Sequence, residues 1–525
     1  MPVADSAWWR AAVFYEIYVR SYSDANSDGV GDLRGITNRL DHLVDLGVDG
    51  LWLTPFYPSP MRDHGYDVAN PRDVDPRFGS LADFDLLVDA ARARGLRMIV
   101  DIVPNHSSNE HPWFREALVS APGSDARARY HFRDGTGPGH SEPPNNWQSV
   151  FGGIAWTRVD QQWYLHLFTP EQPDLNWHHP AVPADYEQTL RFWLDRGVDG
   201  FRIDVAHGLF KDRDLPSTGT GSSLDLLADR LEPTPIWNQP EVHDIYRRWH
   251  AICHEYAQSP VLVGEVWIGD PAAVASYVRA DELQLAFNFR LLFSEWDAPT
   301  YRRAIDQSLS ELHAVGAPPT WVFGNHDVQR QVTRYGGEAL GERRARAAVM
   351  LLLALPGSAF LYQGDELGLP DVRLPDKALQ DPIWERSGHT IRGRDGCRVP
   401  LPWAGAAPAY AFSPTATPSW LPMPTDWQPL TVEAQQTDPG SMLALHRAAL
   451  GQRKREPALG DGVLEWQPSP ATVLDFVRPH PDGSVRCIVN LGSGPIRLPP
   501  GELLLGSAMQ QGDVLPPDTA VWLRP

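Results

Sequence analysis

GFRIDVAH, from Gly200 to His207, is a short apolar run that ends by delivering a carboxylate, Asp204. The pattern recurs in VGEVW from Val263 to Trp267, where the acid is Glu265, and in FGNHD from Phe323 to Asp327, where it is Asp327. These runs belong to predicted buried strands at Val198 to Asp204, Val261 to Trp267 and Trp321 to Asp327, and each acid stands where its strand would leave into a loop. Further strands are predicted at Val13 to Ser21, Val48 to Pro55, Arg97 to Asn105, Leu283 to Phe289 and Ser358 to Gln363, with helical patterns between them. Strands alternating with helices in this way predict an α/β fold, a parallel (β/α)8 TIM barrel whose active site lies at the carboxyl ends of the strands. A doubly wound open sheet fits the same alternation.

The spacing is uneven after the third strand. From Asn105 to about Trp177 the chain is rich in Pro, Gly, Asn and aromatics and too long for an ordinary loop, which predicts a small inserted domain over the site. Two more insertions, Lys211 to Gln239 and Gly368 to about Gln435, fall on the same face. After a helix around Met442 to Arg455, alternation with turn signals predicts a C-terminal antiparallel β domain. The expected organisation is barrel over 1–104, inserted domain over 105–177, barrel again over 178–458 and β domain over 459–525.

With 525 residues, 42% hydrophobic and 21% charged, the composition is that of a soluble globular protein. A formal charge of −20 argues against nucleic acid and an anionic membrane as partners, because their phosphates would be repelled. Cys253, Cys397 and Cys487 lie far apart with no CxxC pair, which reads as three buried thiols. The start, MPVADSAWWRAAVFYEIYV, lacks the basic and apolar segments of a secretory signal, so a cytoplasmic location is expected. The most apolar stretch, Ala347 to Leu355, is far short of a membrane span. Oligomeric state leaves no mark in the sequence. The 20 tryptophans divide between core and flat apolar surface with one donor each.

Carboxylates on apolar strands are costly to bury without partners or a task. Cleaving an acetal supplies one, since one carboxylic acid protonates the leaving oxygen and a second carboxylate traps the oxocarbenium-like carbon. Together with DIVPNH (Asp101 to His106), DHGYDV (Asp63 to Val68) and QPDLNW (Gln172 to Trp177), the three motifs resemble those of the α-amylase superfamily, glycoside hydrolase family 13. QPDLNW resembles the α-glucosidase and oligo-1,6-glucosidase branch.

The resemblance implies roles. Asp204 is the expected nucleophile, with Arg202 two positions earlier on the same strand face to keep it ionised. Glu265, among Val263, Val266 and Trp267, is the expected general acid and base. Asp327, His106 and His326 would hold sugar hydroxyls. Tyr66 and Asp67 would form the floor and far end of the pocket, and Arg398 would join Asp67 in closing it. Phe151 and Phe168 read either as aromatic walls or as local core. Val205, directly after the nucleophile, resembles the valine of enzymes that favour α-1,6 bonds.

Asp24, Asn26, Asp28, Val30 and Asp32 resemble the start of a calcium loop, with Gly29 at the sixth position and Gly35 where a twelfth-position Glu would stand, or else form a polar turn. A structural Ca2+ is expected, Mg2+ being the alternative, and no organic cofactor. The activity implied is that of a retaining, exo-acting α-glucosidase on short α-1,4- or α-1,6-linked oligosaccharides, with some transglucosylation. The alternative is a glucosyltransferase or disaccharide isomerase of the trehalose synthase or sucrose-converting type on the same scaffold. A binding subunit without activity would need lost acids, and none is lost.

Overall fold

The computed structural model describes residues 7–218, 234–415, 417–509 and 512–525, so the middle of the Lys211 to Gln239 insertion lies outside the described residues. Eight parallel strands form the central sheet: β1 (Val13–Ile17), β2 (Gly50–Leu53), β3 (Arg97–Ile102), β4 (Gly200–Ile203), β5 (Val261–Gly264), β6 (Leu285–Ala286), β7 (Thr320–Val322) and β8 (Ser358–Tyr362). β8 pairs with β1, and a parallel bridge between Phe287 and Thr320 joins β6 to β7, which closes the sheet into a barrel. Seven fall within the predicted runs, and β7 overlaps its run, Trp321 to Asp327, but begins one residue earlier and ends before Asp327. The strands are buried on both faces, as a sheet wrapped by helices requires.

Period-two alternation sets what fills the barrel. Phe14, Trp52, Ile99, Val263, Leu285, Val322 and Phe360 meet in one inner cluster. The next inward position on four of these strands is polar: Glu16 after Phe14, Asp101 after Ile99, Arg202 after Gly200, and Glu265 after Val263. In register, Asp101 stands beside Arg202 and Arg202 beside Val263. An apolar floor thus gives way to a charged layer at the carboxyl ends. Gly200 opens β4 at φ +149, and a Cβ there would sit 2.0 Å from the Val261 carbonyl oxygen. That close approach lets β4 and β5 present their acids side by side.

The inserted segment builds a three-stranded antiparallel sheet from Phe132–Asp134, Trp156–Val159 and Gln162–Leu165. It has its own core around Trp147, Trp156, Trp163 and Leu167 and returns to the barrel through a bridge from Asp174 to His106. The C-terminal residues form a five-stranded antiparallel sheet and a two-stranded ribbon. That sheet docks on the helix Glu338–Ala354 through Trp522, whose indole donates to the Met350 carbonyl, and through Arg478, which donates to that of Ala354. The three cysteines are free and buried. Among the described residues no helix is long and apolar enough to cross a membrane.

Candidate active site

A cavity of about 340 Å3 opens at the carboxyl ends of the strands. Its lining brings together Asp204, Glu265 and Asp327 with Tyr66, His106, Phe151, Phe168, Val205 and His326, residues drawn from five barrel strands or their loops and from the inserted domain. Of the sequence-expected set, only Asp67, Arg202 and Arg398 do not line it.

Arg202 lies beneath, fully buried, and ties three carboxylates together. One Nη donates to Asp101 at 3.0 Å and to Asp204 at 2.7 Å, and the other meets Glu265 at 2.6 Å. Its guanidinium also lies 5.1 Å from the Trp52 ring and 5.8 Å from that of Tyr66. One cation against three buried acids leaves protons bound. Burial raises Asp101 to about 7 even with Arg202 adjacent. Burial and then the neighbouring Glu265 push Asp204 above the usual carboxylate range, while Arg202 pulls it down. The charge on this layer is therefore shared rather than assigned acid by acid.

Val205 takes a left-handed backbone, φ 46, and its N–H donates to Glu265 at 2.9 Å. A β-branched residue at positive φ is strained, and here the strain orients the chain directly after Asp204. Trp267 stacks on Phe289 at 3.7 Å and borders the outer half of the cavity with Trp237 and Phe293. Of the 20 tryptophans, then, Trp237 and Trp267 reach this cavity, whereas Trp52, Trp147, Trp156, Trp193, Trp249, Trp321 and Trp522 are fully buried.

The far end differs from the expectation. Asp67 is fully buried and folds its own loop: it accepts from the backbone N–H groups of Arg62 and Asp63 and from the Ser59 hydroxyl. Burial raises it to about 6 in spite of those donors. The acid presented to the cavity is Asp63, four residues earlier. Arg398 likewise faces away, donating to the His326 carbonyl at 2.8 Å and to Asp327 at 2.8 Å. The closing arginine is Arg394, which donates to Asp63 at 2.8 Å, Asp327 at 3.0 Å and Asp381 at 2.6 Å and packs 4.9 Å over Phe151. Burial raises Asp327, but His326, Arg394 and Arg398 outweigh it and hold the carboxyl below the usual range. For the aspartates the choice is one of loop geometry, since Met61 and His64 on either side of Asp63 turn the chain at φ 61 and 54.

Tyr66 forms the floor, its hydroxyl donating to Asp101 at 3.0 Å and its ring stacked on His326 at 5.3 Å. His106, lowered to about 4 by burial, stands between the Tyr66 carbonyl and the Gln172 side chain, which also donates to Asp63. Phe168 lies 5.0 Å from His106 and 5.6 Å from Phe151, so both phenylalanines wall the cavity. Asp63, Asp101, Gln172 and Arg394 were the residues missed. Asp63, Asp101 and Gln172 sit inside DHGYDV, DIVPNH and QPDLNW, and Arg394 stands four residues before Arg398, but which residue of each stretch serves the site is invisible without the loops.

A sequence model of the α-amylase catalytic domain matches residues 16–462. The chain belongs to the α-amylase family. A probable α-glucosidase of Rhizobium meliloti (strain 1021) is 39% identical over 506 residues, 93% of this chain and 90% of its own. Among solved structures, an α-glucosyl transfer enzyme superposes with a TM-score of 0.89 at 39% identity, covering 98% of this chain and 99% of its own. A trehalulose synthase superposes equally well, TM-score 0.89, at 30% identity over 99% of this chain and 100% of its own. Membership of the α-amylase family accounts for the barrel, the insertion after β3 and the acids at the carboxyl ends of β4 and β5.

In the early loop, Asp24 accepts from the N–H groups of Asn26, Ser27 and Gly29, and Asp32 from those of Ala25, Asn26 and Gly35. Asp28 accepts from Val30. The donor set is all oxygen, the chemistry a hard cation takes. Among the described residues, however, no three acidic, histidine or cysteine side chains already converge on one point.

Proposed function

We propose that this protein is a retaining, exo-acting α-glucosidase that releases terminal non-reducing glucose from short α-linked oligosaccharides. The observation that carries the reading is the closed end of the cavity, where Arg394 joins Asp63 to Asp327. A dead end lined by charged hydrogen-bonding groups accepts a terminal sugar ring and stops a longer chain from passing through. Asp204 attacks the anomeric carbon and forms a β-linked ester while Glu265 protonates the departing oxygen. Glu265 then takes a proton from water, which attacks the same carbon, frees Asp204 and returns the α configuration. The three acids that share Arg202 supply both the ionised nucleophile and the retained proton.

A second reading, transfer of the glucosyl group to a sugar, draws support from the apolar outer half around Val205, Trp237, Trp267 and Phe293, which suits a second ring. The two share the first half-reaction and part when water or sugar accepts. Incubation with maltose, isomaltose, sucrose and trehalose separately, with NMR of the products, tests both. Free glucose from an α-glucoside supports hydrolysis, new disaccharides support transfer, and no consumption of any of the four defeats both.

Linkage follows from Val205. With no hydroxyl on that wall, the contact suits the extra methylene of a 6-linked glucose. Val205→Thr is expected to move the ratio of kcat/KM for isomaltose over maltose toward maltose by roughly 1–3 kcal/mol. A ratio that stays put, or rises, removes the role.

Ca2+, with Mg2+ as the alternative, is proposed for the early loop, held by Asp24, Asn26, Asp28, the Val30 carbonyl and Asp32. Because the loop already closes on its own amides, the cation would add stability without taking part in the chemistry. Excess chelator is expected to lower Tm by mass action, and Asp28→Ala to abolish that response. An unchanged Tm, with no metal on elemental analysis, rules the cation out. The three free, buried thiols suit a reducing compartment, so the cytoplasm is proposed as its location.

A further inference from the structure

Glu16 is a carboxylate on β1, 1% exposed, in the inward layer of the barrel, with no part in the chemistry above. Its Oε1 lies 2.5 Å from Nδ1 of His326, 310 residues later. The other ring nitrogen, Nε2, lies 3.3 Å from Asp327 Oδ2, is buried, and makes no hydrogen bond among the described residues. The ring cannot turn away, because Tyr66 stacks on it at 5.3 Å and Tyr18 at 5.6 Å. One imidazole is thus fixed between two carboxylates at the wall of the cavity, with its free nitrogen beside the acid proposed to hold sugar hydroxyls.

An oxygen and a nitrogen at 2.5 Å need a proton between them, since two lone pairs would repel. If that proton were the ring's only one, Nε2 would present a lone pair to Asp327 and could not donate. A ring that also carries a hydrogen on Nε2 can. We propose that Glu16 is a positioning residue whose protonated carboxyl donates to Nδ1 of His326, so that the ring's own hydrogen is kept on Nε2 as a donor toward Asp327 and a bound glucose hydroxyl.

The surroundings agree. Arg202, Arg394 and Arg398 face the ring from the end of β4 and from the segment after β8, and with burial they oppose a charged imidazolium, against the pull of Asp327. Burial above all, with Asp327 and Asp101, opposes an ionised Glu16 and outweighs Arg202 and the His326 backbone N–H, which donates to the same Oε1 and favours the charge. Tyr362, opposite Glu16 on β8, and the rings of Tyr18 and Tyr66 complete the set of titratable neighbours. The result is a neutral pair, with the Glu16 carboxyl donating to Nδ1 and the hydrogen of the ring on Nε2. When the Glu16 proton is lost at higher pH, the ring hydrogen is drawn to Nδ1 and the donor toward the sugar disappears.

This inference rests on the glucose-binding reading of the same site. It is tested by measuring the Kd of glucose calorimetrically from pH 6 to pH 10 for the wild type, Glu16→Gln and Glu16→Leu. Gln donates an amide N–H to Nδ1 and does not titrate. The expected result is a wild-type Kd that rises with pH about tenfold more than that of Glu16→Gln, a Glu16→Gln Kd that equals the wild type at pH 6, and a Glu16→Leu Kd about tenfold weaker than the wild type at pH 6. Any pH dependence from Asp204 or Asp101 is shared by wild type and Glu16→Gln, so only the excess in the wild type is read. The same alkaline weakening in Glu16→Gln, or flat behaviour in both, overturns the role while leaving glucose binding intact. A wild type that does not bind glucose at pH 6 overturns this role and the glucoside reading together. Should Glu16→Leu fail to fold, the isosteric Glu16→Gln still decides.

Discussion

Asp204→Asn is expected to abolish turnover, with kcat falling on the order of 10⁴-fold or more, because an amide cannot form the covalent glucosyl ester. Glu265→Gln behaves differently. With a substrate whose leaving group needs no protonation, the first step survives and hydrolysis of the intermediate becomes slow, since nothing deprotonates water. A small anion that needs no deprotonation then restores release. Azide attacking the β-linked ester gives the α-glucosyl azide, so the retaining reading requires that anomer. NMR of the product decides: the β-azide would mean direct displacement of the original bond, with the two acids exchanged in role or the enzyme inverting.

Arg202→Met is expected to cost both activity and fold. Removing the guanidinium leaves Asp101, Asp204 and Glu265 facing one another around an apolar side chain. Breaking one side of a buried ion pair costs about 3–5 kcal/mol, and here three acids lose one partner. Protonation relieves the loss, because acids without their cation hold protons to higher pH. Denaturant unfolding at pH 5 and pH 8 checks this: the deficit relative to wild type is expected to be larger at pH 8, where the acids must ionise. An equal deficit at both pH values would show that Arg202 contributes packing rather than charge. The neighbouring surface pairs are poor comparators, since exposed ion pairs contribute about 0–1 kcal/mol.

Much of this site was legible because strand alternation is local. Once GFRIDVAH is a strand, Arg202 and Asp204 must share a face, and the same rule puts Asp101 two positions after Ile99 and Glu16 two after Phe14. The rule states which face, not which partner. That Asp101 completes the Arg202 cluster depends on β3 pairing with β4 in one register, and that Glu16 meets His326 depends on barrel closure bringing the first strand beside the loop after β7. Neither contact has any trace within a window of sequence.

The loops set the limit more sharply. DHGYDV offers Asp63 and Asp67, and RDGCR offers Arg394 and Arg398, each pair four residues apart and chemically equivalent on paper. One member of each pair enters the cavity, Asp63 and Arg394, and the other holds the loop or an adjacent acid in place. Apolar periodicity and the cost of burying charge act over a few residues, and for that reason the barrel, the acids at its strand ends and the chemistry they suit could be read along the chain. Which aspartate and which arginine close the pocket depends on the folded chain, because that choice is made by backbone turns and by hydrogen bonds between segments more than 300 residues apart.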